Sequence, residues 1–250
     1  MRDGVADRLI CALDVASSAR ALDLFDRLRE SVGMFKIGSQ LFTAAGPDLV
    51  RQIIGRGGRV FLDLKFHDIP NTVAAAAMEV TRLGVSIFNL HASGGSEMMK
   101  RTADAVNQLI ERERLLRPKV IAVTVLTSLE DEDLNEIGFA ESLQPTVLKL
   151  AQLAADCGLD GVVASPREVR SVRQGIPKSS FLIVTPGIRA ERPPQDDQRR
   201  FMTAADAIGA GADYIVVGRP ILAAPDPLQA AESIVEQIRA AFPVAAMPSA

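Results

Sequence analysis

An acid, a base and a second acid stand close together in the stretch Asp63-Leu64-Lys65-Phe66-His67-Asp68-Ile69-Pro70-Asn71-Thr72. The run from Arg59 to Leu62 that leads into it reads as a strand, and a side-chain period of two puts Asp63 and Lys65 on the same face, ~6.6 Å apart along the backbone. A lysine beside a carboxylate in this way can stabilise a developing negative charge and then deliver a proton to it. Pro70 cannot continue a strand ladder, and Asn71-Thr72 can cap the alanine-rich run that follows, so Asp68 to Thr72 reads as the loop between a strand and a helix.

Lys36 interrupts another apolar run, Met34-Phe35-Lys36-Ile37-Gly38. Burying an ammonium without a partner is costly, so Lys36 either snorkels to water or meets carboxylates. Any one charge at a strand end is more often a solvated rim residue or a helix cap than a catalyst. Lys36, Asp63, Lys65 and Asp68 alternate in sign, which is harder to assign to chance. A third group, Gly218-Arg219-Pro220 with Pro186-Gly187-Ile188-Arg189 and Gln198, has the glycine backbone and cations that suit a phosphate. His67 and His91 are read as structural, because neither has a serine or cysteine nucleophile at a recognisable spacing.

The elements that must position these groups repeat as short apolar run, then amphipathic segment. The runs are Leu9–Asp14, Met34–Gly38, Val60–Lys65, Ser86–His91, Lys119–Leu126, Gly161–Ser165, Phe181–Thr185 and Tyr214–Gly218. Helical segments are expected after Ser17 or Ser18 (with Leu22, Phe25 and Leu28 at helical spacing), from about Pro47 to Ile54, Val73 to Leu83, after a Gly94-Gly95 turn to about Leu116, near Pro145 to Cys157, from Pro166, and from Pro227 to Phe242. Strands this short and this continuously apolar call for a parallel sheet covered by helices. Eight units in 250 residues fit a single α/β domain, a (β/α)8 TIM barrel over 1–242, with 243–250 a loose tail. An open doubly wound sheet would want a glycine-rich turn after an early strand, and Asp14-Val15-Ala16-Ser17 is not one. In the barrel the active site lies at the carboxyl ends of the strands, where Asp14, Lys36, Asp63, Lys65, Asp68, His91, Thr127, Ser128, Arg189 and Arg219 fall. Gly187 to Arg200, rich in Pro, Arg, Gln and Asp, reads as a lid or binding loop.

Composition narrows the partners. A formal charge of -3 with scattered Lys and Arg leaves no basic stripe for nucleic acid. No apolar stretch is long enough to span a bilayer, and the charged N-terminus lacks a hydrophobic signal region, so the expected location is cytoplasmic. Cys11 and Cys157 lie in apolar surroundings without metal-ligand spacing and are expected as buried thiols. Acids that alternate with competing lysines suit a metal poorly.

These blocks resemble, in order from Leu9 to Arg219, the orotidine 5'-phosphate decarboxylases of pyrimidine synthesis. Phe61 to Thr72 is similar to the bacterial form of that family's signature, a D-x-K-x-x-D followed by I-x-x-T; Asn89 to Gly95, Val125 to Ser128, Thr185 to Arg189, Asp197 to Arg200 and Val217 to Pro220 resemble its other blocks. The resemblance implies conversion of orotidine 5'-monophosphate to UMP, with no metal or organic cofactor, in a homodimer with shared sites. It implies Lys65 as proton donor to C6 of the pyrimidine, Asp63 beside the departing carboxylate, and Asp68 and Thr72 reaching into the partner's site, with Ile69 among the substrate-binding residues. Asp14 and Lys36 would hold ribose hydroxyls, Thr127 or Ser128 the pyrimidine edge, and Gln198, Gly218, Arg219 and Arg189 the phosphate.

Two other readings use the same barrel. Related sugar-phosphate enzymes, the keto-gulonate-phosphate decarboxylases and hexulose-phosphate synthases, share D-x-K-x-x-D but use Mg2+ and resemble an acid at the position of Lys36. A catalytically idle barrel that senses UMP is the third reading, and it has no need of all four charges.

Overall fold

The computed structural model describes residues 4–188 and 202–242. Among them, strands and helices alternate: β1 (Leu9–Ala12), α1 (Ser18–Leu28), β2 (Met34–Gly38), α2 (Ser39–Gly55), β3 (Val60–Phe66), α3 (Pro70–Arg82), β4 (Ile87–His91) and α4 (Gly95–Glu113). There follow β5 (Lys119–Val123), α5 (Asp131–Glu136), α6 (Leu143–Asp156), β6 (Gly161–Val163), α7 (Val169–Gly175) and β7 (Leu182–Thr185). The last are α8 (Ala204–Gly209), β8 (Tyr214–Val217), α9 (Arg219–Leu222) and α10 (Pro227–Ala240). The strands close into a parallel barrel in the order β1 to β8, the expected (β/α)8 architecture.

The described chain packs as two compact units, one ending at Phe61 and resuming at Val184, the other Leu62–Ile183. In the first, β1 lies between β2 and β8, with Ala12 opposite Lys36 and Cys11 opposite Val217. Every residue of β1 is buried, as an apolar strand covered on both faces requires. Helix α1 starts at Ser17, whose hydroxyl accepts from the Arg20 N–H, and buries Ala21, Leu24, Phe25 and Leu28. Of the expected Leu22, Phe25 and Leu28, the last two are buried and Leu22 is half-buried, because the buried stripe advances at steps of three and four from Ala21 through Leu24. Phe25 meets Phe35 of β2 edge to face, with centroids 5.0 Å apart, so that helix and strand share one apolar contact.

In the second unit β5 lies between β4 and β6, with Asn89 opposite Ile121 and Val123 opposite Val163. Helix α4 buries Met98, Met99, Thr102, Ala103, Val106 and Leu109, one stripe at helical spacing. Each large apolar side chain removed from water contributes about 1.5–3 kcal/mol, which makes such stripes the source of helix stability here.

Several boundaries differ from the sequence expectation. Helix α2 begins at Ser39 and breaks at Gly46, whose φ of 64° interrupts it just before Pro47. Helix α3 starts at Pro70, with Ile69 at the cap and no side-chain cap bond, so Asn71 and Thr72 belong to its first turn. Proline suits that first position because its missing N–H would have been unpaired anyway. Helix α4 stops at Glu113, with Arg114 left-handed and Leu116 92% exposed, short of the expected end. Helices α5, α8 and α9 lay outside the pattern expected from the sequence. The expected tail 243–250 lies outside the described residues, as does nearly all of the expected lid.

Candidate active site

Each unit carries polar side chains at the carboxyl ends of its strands. In the first, Lys36 is the third residue of β2, and its Nζ donates to Asp14 Oδ1 at 3.0 Å. The Lys36 side chain is 12% exposed and that of Asp14 58%, so the ammonium meets a carboxylate where the strand leaves the core. The Cys11 thiol beside them is pushed up to about 12 by burial, with Asp14 adding to the effect and Lys36 opposing it. It stays a protonated, inert thiol. Gly218 ends the approach of β8, and a side chain there would meet Asp14 Oδ2 at 3.2 Å. Arg219 follows as the exposed first residue of α9.

Strand β3, whose last five residues open the second unit, changes character along its length: Val60 to Asp63 are buried, and Leu64 to Phe66 are half-buried. Lys65 Nζ donates to Asp63 Oδ1 at 2.7 Å, so the two do share a face as their spacing suggests. The backbone there is not a regular strand, because Lys65 has φ 53°, in the left-handed region that non-glycine residues rarely adopt. Asn89 of β4 makes the connection. It is fully buried, its Oδ1 accepts from the Lys65 backbone N–H at 2.8 Å, and its Nδ2 donates to Asp63 Oδ1 at 2.7 Å.

Past the end of β3, Asp68 is exposed, and its Oδ1 accepts from the Ile69 N–H at 2.6 Å. Ile69 is 67% exposed, and Thr72 is also exposed. The His67 and His91 rings stand 5.3 Å apart and tilted by 38°. Burial pushes the His91 imidazole below its ordinary value, repulsion from His67 and Lys65 acts the same way, and Asp63 opposes. Thr127 and Ser128 are exposed in the turn after β5. Arg189 and Gln198 lie outside the described residues.

The structure thus joins Asp14 to Lys36 and Asp63 to Lys65, and leaves Asp68 on its own loop. Asn89 was not among the residues singled out from the sequence, although a carboxamide inside Ile87-Phe88-Asn89-Leu90 is itself a signal, since a buried polar group needs partners. Among the described residues no cluster of three or more His, Cys, Asp or Glu could hold a metal ion. Among them, too, no helix is long and apolar enough to cross a membrane.

The chain is thus a parallel (β/α)8 barrel with lysine–carboxylate pairs at its strand ends, a class of barrel whose charged groups can stabilise a developing charge or move a proton. Comparison with known proteins narrows it. A sequence model described as "Orotidine 5'-phosphate decarboxylase / HUMPS family" matches residues 7–234. A relative from Syntrophotalea carbinolica named orotidine 5'-phosphate decarboxylase is 53% identical over 235 residues, 94% of this chain and 96% of its own. Another of that name, from Geobacter sulfurreducens, is 51% identical over 239 residues, 96% of this chain and 99% of its own. A crystal structure titled orotidine 5'-phosphate decarboxylase, from Lactobacillus acidophilus, superposes with a TM-score of 0.81 at 37% identity, over 92% of this chain and 98% of that one. This chain belongs to the orotidine 5'-phosphate decarboxylase / HUMPS family.

Proposed function

We propose that the chain is a cytoplasmic orotidine 5'-monophosphate decarboxylase of pyrimidine biosynthesis, converting its substrate to UMP and CO2 without metal or organic cofactor. The observation that carries the reading is the Lys65–Asp63 pair at 2.7 Å at the end of β3. Loss of CO2 leaves the bonding electron pair on C6 of the pyrimidine, in an orbital that the ring π-system cannot delocalise. A cation already in position stabilises that charge and then transfers its proton to C6; Lys65 recovers a proton from water.

Asp63 contributes in a second way. A carboxylate about 4 Å from the substrate carboxylate repels it by roughly 4 kcal/mol at an effective dielectric of 20. That repulsion vanishes as CO2 departs, and at about 1.4 kcal/mol per tenfold it supplies up to roughly three powers of ten. Asp14 and Lys36 take the ribose hydroxyls, Thr127 or Ser128 the pyrimidine edge, and Gly218, Arg219, Arg189 and Gln198 the phosphate, whose binding energy drives closure around the ring. Asp68 and Thr72 serve the site of the second subunit in a homodimer, with Ile69 among the substrate-binding residues, and the exposure of all three in a single chain supports that reading.

Lys36 separates this reading from the sugar-phosphate one: the Mg2+-using enzymes resemble an acid at that position, and a lysine paired with Asp14 there disfavours a divalent cation. The experiment is the absorbance change on mixing EDTA-treated protein with orotidine 5'-monophosphate. Conversion to UMP is expected, with Lys65→Ala slower by about 10²- to 10⁴-fold or more in kcat. Unchanged turnover by Lys65→Ala would sink the assigned mechanism, and conversion only of sugar phosphates with Mg2+ restored would move the chain to the other branch.

A further inference from the structure

We infer that Asn89 is the positioning residue of the Asp63–Lys65 pair, one carboxamide gripping the carboxylate of the acid and the backbone N–H of the base. The inference rests on the proposed role of Lys65 as proton donor.

Asn89 sits in the middle of β4 with no exposed surface, where an amide is costly unless both of its ends are hydrogen-bonded. Both are, and neither of the two bonds goes to a strand ladder: one partner is the Asp63 side chain, the other the Lys65 N–H. The amide can sit only one way round. Reversed, its oxygen would face the Asp63 carboxylate and its NH2 would face an N–H donor, leaving two repulsive contacts in place of two bonds.

The second grip explains the backbone at Lys65. A φ of 53° is unfavourable for a side chain with a Cβ, and such conformations persist where the surroundings hold them. The Asn89 oxygen fixes the N–H at this turn away from strand geometry, and from there Nζ reaches back to Asp63 Oδ1 across only two residues. Asp63 Oδ1 accepts from both Lys65 Nζ and Asn89 Nδ2, so the same oxygen is tied to the residue that orients the lysine. A small displacement of the proton donor lowers the chemical step much more than binding.

The test measures turnover of orotidine 5'-monophosphate and UMP affinity by calorimetry in wild type, Asn89→Ala and Asn89→Asp across pH. Asn89→Ala is expected to lower kcat about tenfold to a hundredfold while KM and the UMP dissociation constant stay within about threefold. Asn89→Asp keeps the shape and the acceptor for the Lys65 N–H. Ionised, the new carboxylate has no hydrogen to donate to Asp63; protonated, it has one. Its kcat deficit relative to wild type should therefore shrink as pH is lowered, a dependence that mere support of the fold would not produce. Wild-type kcat in both variants, a loss confined to KM, or an Asn89→Asp deficit equal at every pH would each overturn the positioning role. Should Asn89→Ala not fold, Asn89→Asp with UMP binding intact decides the matter. Wild-type protein that cannot turn over the substrate would instead retire the underlying decarboxylase reading, and this inference with it.

Discussion

His91 ends β4 two residues beyond Asn89, and its environment makes a measurable claim. Burial is the largest influence holding its imidazole below the ordinary value, ahead of repulsion from His67 and Lys65, with Asp63 pulling the other way. A group whose folded value is depressed binds fewer protons when native than when unfolded. Its contribution is fully present above the ordinary value of about 6.5 and is lost as pH falls through the lower folded value. Urea unfolding of wild type and His91→Gln at pH 7.5 and pH 5 isolates it, because the other titrating groups are common to both proteins. Wild type should lose more stability on acidification than the variant. Equal losses would mean that the His91 ring takes up its proton as readily in the folded chain as in the unfolded one.

At the scale of elements, one tight constraint lies where β6 passes β7. A Cβ added to Gly161 would stand 2.2 Å from the Leu182 carbonyl oxygen and 2.7 Å from the Leu182 Cβ. A backbone atom cannot swing aside as the end of a flexible side chain can. Gly161→Ala should therefore lower stability by about 1–3 kcal/mol in urea unfolding, as overpacking does. Gly55→Ala, at the end of α2 with nothing within 4 Å, is the control and should be neutral or stabilising. Loss of stability in both alike would refer the effect to the loss of glycine itself. Strands of this kind were legible in the sequence because they are short, apolar and separated by polar segments. Helices were less so where the apolar stripe is thin: α5 buries only Leu134 in an acidic run, and α2 conceals its first turns behind Gly46. The charged site residues stood out because lysine and aspartate are anomalous inside apolar strands. Asn89 is neutral, and its importance depends on which groups of β3 face it, a long-range contact that spacing along one strand does not encode.

At the scale of the molecule, the proposal requires two chains. Asp68 and Thr72 are exposed beside Ile69, which is 67% exposed, so both polar side chains are free to meet a second copy as the proposal requires. If each site takes Lys65 from one subunit and Asp68 from the other, Lys65→Ala and Asp68→Ala homodimers are both inactive. A mixed dimer then has one site lacking both residues and one site with both intact. Random exchange in an equal mixture makes half the dimers mixed, so the mixture should recover about a quarter of the wild-type activity for a two-fold symmetric pair. Mass spectrometry under native conditions would report the mixed species, and turnover of orotidine 5'-monophosphate would be followed as they form. Recovery in proportion to mixed dimer assigns Asp68 to the partner's chemistry. Mixed dimers without recovery would confine both residues to one chain, and a protein that sediments as an active monomer would remove the shared site altogether.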